Sequence, residues 1–107
     1  MNTIAARPRH SSREYRSGAD VFKALGHSSR LLIVDVLAGG ERCVSDLTEM
    51  VGSDPSTVSN HLAVLRNVGL VVDEKRGQQV FYRLGAPCVT KIFQCLEEMR
   101  KARENLR

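Results

Sequence analysis

The stretch Gly52–Gly69, Gly-Ser-Asp-Pro-Ser-Thr-Val-Ser-Asn-His-Leu-Ala-Val-Leu-Arg-Asn-Val-Gly, constrains the fold more than any other. Asp54 is a good helix N-cap, and Pro55 suits the first helical position, where a missing N–H costs nothing. Val58, Leu62 and Leu65 recur at helical spacing, Val68 closes the apolar stripe, and Gly69 stops the helix. The opposite face carries Ser56, Thr57, Ser59 and Asn60 within two turns. These short, uncharged side chains let a helix backbone approach a partner closely, and they hydrogen-bond both phosphates and base edges. For an isolated helix a merely solvated polar face is the better reading; the flanks shift the balance.

Upstream, Val44–Val51 is a second short helical pattern, ended by Gly52. Downstream, apolar runs at Leu70–Val72 and Val80–Leu84 surround a basic, Gly-containing segment, which predicts a β-hairpin with its tip at Arg76-Gly77-Gln78-Gln79. Helix, tight turn, polar-faced helix and basic hairpin together are the pattern of a winged helix-turn-helix. Lys75 and Arg76 suit phosphate contact in a groove flanking the helix; a solvated turn is the plainer alternative.

The 107 residues allow one domain with a modest core, which gains from dimerisation. Residues 1–13, with Arg7, Arg9, His10 and Arg13, read as a flexible basic arm, residues 14–104 as the DNA-binding and dimerisation domain, and residues 105–107 as a frayed tail. In the first helix, Glu14–Gly26, Phe22 and Leu25 exceed what one small core needs and are assigned to a subunit interface. A central helix starts at Ser28 or Ser29, with Arg30 as a structural salt-bridge residue. Leu47, Met50 and Val51 are expected to pack inward. Pro87 opens a last helix, Cys88 to about Arg103, whose stripe of Val89, Ile92, Phe93, Leu96 and Met99 is also assigned to dimerisation. The expected fold is mainly α with a β-hairpin wing: about five helices and two strands, dimerised through the first and last helices.

Net charge is +4, and 12 of the 16 basic residues are Arg, which favours bidentate phosphate or guanine contacts. No apolar run approaches the ~20 residues of a membrane span, and Met1–Ala6 is too short and weakly apolar for a signal peptide. Three cysteines argue against a secreted disulfide scaffold, so a reducing cytoplasm is the expected location. No Gly-rich phosphate loop, Walker pattern or paired-carboxylate site appears, so no catalytic residue is assigned and an enzyme is not expected.

Five segments in this order resemble the ArsR/SmtB family of bacterial winged-helix repressors. They are Val21–Leu31, Cys43–Leu47, Ser56–Leu62, Leu65–Val71 and Gly77–Leu84. The resemblance implies a homodimer that binds a two-fold operator in double-stranded DNA and loses affinity for it when an inducer binds. By position it places Ser56, Ser59 and Asn60 against bases or backbone, with Thr57, Arg76 and Gln78 in support. His61 falls where the family's Ser-x-His-Leu motif has a His, on the side closer to the packed face, so a structural hydrogen bond is expected of it.

What is sensed is less marked. Arsenic-sensing members carry Cys-Val-Cys-Asp-Leu where this chain has Cys43-Val44-Ser45-Asp46-Leu47, so one thiolate is lost, and As(III) wants two or three. No His follows His61, so the last-helix site for zinc, nickel or cobalt is absent. Cys88 and Cys95 remain. If both lie on one helix they are two turns and about 10 Å apart, too far for one ion within a chain. In an antiparallel pair of such helices, Cys88 of one subunit can face Cys95 of the other, binding As(III) or another thiophilic ion, or forming a disulfide or polysulfide bridge. Simple packing at the interface competes with this reading. Cys43 as a third ligand lacks support. A regulator with no metal site, and a winged-helix module for protein interaction, stand as alternatives.

Overall fold

The computed structural model describes residues 7–106. Helix α1 spans Ser12–Leu25. It begins two residues before the expected start because Ser11 and Glu14 form a reciprocal capping box: the Glu14 N–H donates to Ser11 Oγ and the Ser11 N–H to Glu14 Oε1. The basic arm is shortened accordingly, and residues 1–6 of it lie outside the described residues. Helix α2, Ser28–Ala38, is capped by His27, whose Nδ1 accepts from the Ser29 N–H at 3.0 Å. Helix α3, Val44–Val51, ends on Gly52, whose φ of 78° is the left-handed conformation that favours glycine. Helix α4, Pro55–Asn67, has the expected Asp54 cap and Pro55 start.

Strands β2, Val71–Arg76, and β3, Gln79–Leu84, form the hairpin, with Arg76 opposite Gln79. A third strand was not anticipated. Strand β1, Arg42–Cys43, pairs antiparallel with β3, giving the order β1-β3-β2. Two residues are too few to show an alternating pattern, and β1 exists only because β3 reaches it from far along the chain.

The last helix also differs from expectation. Pro87–Thr90 is a separate 3₁₀ turn, and helix α5 runs Lys91–Asn105. Asn105 therefore belongs to the helix rather than to a frayed tail, and Arg107 lies outside the described residues.

The core is organised on α2. Ile33, Val34 and Leu37 meet Leu47 of α3, Val58, Leu62 and Leu65 of α4, and Leu70, Val71, Tyr82 and Val89. Leu25 and Val89 are in this core, so neither is free for a subunit interface. Met50, expected inside, is half exposed. A tight point lies where the chain leaves the hairpin: Gly85 donates to the Leu70 carbonyl at 2.9 Å, and a Cβ on Gly85 would stand 2.6 Å from the Gly69 carbonyl oxygen. Backbone cannot yield as a side-chain tip can. Gly85→Ala is therefore expected to destabilise the fold by about 2 kcal/mol, read as a lower urea midpoint at unchanged slope. A midpoint equal to wild type would show that the two segments can separate freely.

Candidate nucleic-acid interface

Helix α4 is divided by burial. Val58, Leu62 and Leu65 are fully enclosed, while Ser56, Ser59 and Asn60 are exposed and Thr57 is half-buried. The Asp54 carboxylate accepts from the Thr57 N–H and the Ser56 hydroxyl, each at 2.8 Å. These bonds, the Thr57 backbone bond first, hold the Asp54 pKa below the usual carboxylate range. Ser56 still has lone pairs to offer, but its hydroxyl proton is directed to the cap. Ser59 and Asn60 make no side-chain hydrogen bond among the described residues, and they present the freest donors and acceptors on the helix.

The hairpin stands beside this face. A cleft of about 420 Å³ opens between α3, α4 and the wing, lined in part by Ser45, Ser59, Arg66, Gln78 and Gln79, with buried Cys43 at its base. Gln78 thus joins Ser59 as expected, while Ser45, Arg66 and Gln79 were missed. Their proximity depends on the packing of three elements, which no local pattern reports. Arg66 is paired with Asp73 of β2 at 3.0 Å, tying the end of α4 to the wing.

Lys75 is exposed on the wing. Arg76 is not the free cation that its position at the tip suggested. Its two terminal nitrogens donate to both carboxylate oxygens of Glu41 at 2.7 Å, one of them also to Glu74 at 3.0 Å, and its guanidinium lies over the Phe81 ring. Glu74 and Glu41 raise the Arg76 pKa further above its already high value. Arg76 braces the wing against the loop before α3, and any phosphate must compete with two carboxylates for it.

Behind the polar face sits His61, buried at 8% exposure. Its Nδ1 lies 3.1 Å from an Arg30 terminal nitrogen, and Arg30 Nε donates to the Ala24 carbonyl at 2.6 Å. Arg30 is thus structural, as expected, but it bonds a carbonyl and an imidazole rather than a carboxylate.

Apolar side chains are also exposed on α1 and α5. Phe22 of α1 is 65% exposed, and Leu96 and Met99 of α5 are 40% and 54% exposed. Ile92 and Phe93 pack partly onto the core, and α5 buries no residue within the chain. Phe93, Leu96 and Met99 line an open groove along α5. Cys88 and Cys95 are free and exposed; Cys88 stands on the 3₁₀ turn that runs directly into α5, which carries Cys95. Among the described residues, no three His, Cys, Asp or Glu side chains converge to hold a metal ion.

Residues 27–72 match the family model described as "Bacterial regulatory protein, arsR family". The arsenical resistance operon repressor of Escherichia coli is 37% identical over 90 residues, covering 77% of each chain. The HTH-type transcriptional regulator NmtR of Mycobacterium tuberculosis is 44% identical over 66 residues, 62% of this chain but only 55% of that one, so the chain spans about half the length of that relative. A homodimeric winged helix-turn-helix DNA-binding domain from Mycobacterium bovis superposes with a TM-score of 0.75 at 29% identity, covering 94% of this chain and 96% of that one. Polar-faced helix, hairpin wing and sequence likeness over most of the chain agree: the protein belongs to the ArsR family of bacterial regulatory proteins and carries its winged helix-turn-helix.

Proposed function

We propose that the protein is a sequence-specific transcriptional repressor that binds a two-fold DNA operator as a homodimer. The observation that carries this reading is the Ser59–Asn60 face of α4. It is uncovered by the described residues, flanked by the wing, and backed by a fully packed stripe. A helix so furnished enters a major groove with little steric or desolvation cost. The apolar surface of α1 and α5 supplies the two-fold contact that sets two such helices one DNA turn apart.

Electrophoretic mobility shift against the protein's own upstream DNA tests it. Binding should weaken steeply with salt, as phosphate neutralisation requires. Ser59→Ala and Asn60→Ala should each reduce affinity about tenfold, with the fold unchanged by circular dichroism. Binding that ignores both substitutions would remove Ser59 and Asn60 from base reading, and no binding at all would instead support a module for protein interaction.

The proposal extends to release through cysteine chemistry. Cys88 and Cys95 are free and accessible, and a soft ion such as As(III) needs two or three thiolates. Two thiols seven residues apart along one helical segment stand too far apart to chelate one ion, so the ligand set would be completed across the dimer. Cys43 is buried in the cleft by the wing and stands apart from it. As(III) or a polysulfide should release wild type from DNA, and Cys88→Ser/Cys95→Ser should stay bound. Equal release of both proteins would remove these thiols from the mechanism.

A further inference from the structure

His61 follows Asn60 directly, but it points to the other side of α4, into a cluster with Arg30 and His27. The His27 and His61 rings lie 4.4 Å apart, centroid to centroid, at 49°. Arg30 reaches Ala24 of α1 with one nitrogen and His61 of α4 with another. The bond from Arg30 joins the apolar stripe in setting how α4 is rotated against α1 and α2, and that rotation decides which way Ser59 and Asn60 point.

The bond has a chemical condition. A guanidinium only donates, so His61 Nδ1 must accept, and its proton must be on Nε2. Once protonated, the ring would set an N–H against an N–H and a cation against a cation. No carboxylate relieves this. Of the groups on elements packed against His61, only Arg30 and His27 act on it by charge. Helix α1 offers the Ala24 carbonyl to Arg30, Asp46 and Glu49 of α3 are exposed, and Asp73 of β2 is engaged by Arg66.

We propose that Arg30 and His61 are positioning residues for DNA reading: their bond holds α4 in its docked orientation only while His61 is uncharged, so operator affinity falls on acidification. This rests on the DNA-binding reading above. Burial first, then His27 and Arg30, push the His61 pKa below the ordinary imidazole value. The docked helix therefore binds fewer protons than an undocked one between that depressed value and about 6.5, and docking weakens as pH falls through this window. The sign is opposite to the general one. Added positive charge alone would tighten binding to a polyanion.

Fluorescence anisotropy of a labelled upstream fragment, at constant ionic strength from about pH 8 to about pH 5.5, tests this. Wild-type affinity should fall as pH drops through that window, by at most about tenfold per pH unit per protomer. His61→Gln keeps an acceptor for Arg30 but cannot take a proton; it should bind at high pH and lose the fall. Should that variant not fold, the ¹⁵N shifts of the wild-type imidazoles decide, with an unprotonated His61 Nδ1 at high pH expected. Wild-type affinity that is flat or rises on acidification, a His61→Gln profile that falls like wild type, or a protonated Nδ1 at high pH would each overturn the proposal. Failure of wild type to bind the fragment at high pH would overturn the DNA-binding reading itself.

Discussion

Leu96→Glu/Met99→Glu is expected to turn a dimer into a folded monomer and to lower DNA affinity about a hundredfold, since two linked half-site contacts become separate events. The two side chains are largely exposed within one chain, so charge there does little to the monomer's own stability. In a two-fold interface each substitution appears twice, so four new carboxylates would have to be desolvated against the apolar groove of Phe93, Leu96 and Met99. Light scattering after size exclusion reads the mass, and anisotropy reads the affinity. A dimer that survives the double substitution would place the interface elsewhere.

Leu62→Ala should have the largest effect on stability. Leu62 is 1% exposed on the buried side of α4, between Val58 and Leu65. The lost burial and the cavity left behind cost about 3 kcal/mol, against the roughly 5–15 kcal/mol that holds a domain of this kind together. The Tm should drop by about 10–20 °C. Val64→Ala, two residues on, roughly 200° round the helix and partly exposed, is the control and should change little. If the two variants melted together, α4 would not be anchored by this stripe.

The α4 helix was legible almost residue by residue, because its signals are local: a cap, a proline, a stripe at helical period and a stop. The hairpin register followed from a basic, Gly-containing turn between apolar runs, and Arg76 does stand opposite Gln79. Assigning apolar surplus was harder. Phe22, Leu25, Val89 and Met99 look alike as letters on an amphipathic helix, yet Leu25 and Val89 enter the core while Phe22 and Met99 face outward. Periodicity finds the apolar face of a helix but not which part of that face its own chain covers.

The groups that tune the candidate interface were out of reach for a related reason. Arg76 and Glu41 are 35 residues apart, and Arg30 and His61 are 31 apart. Strand β1 forms only against β3. Order along the chain determined that a polar-faced helix and a basic wing would exist, because caps, turns and helical stripes act over a few residues. Tertiary packing decided which wing cation is already engaged, which apolar side chains stay outside, and that a buried histidine backs the helix, because each depends on where distant segments meet.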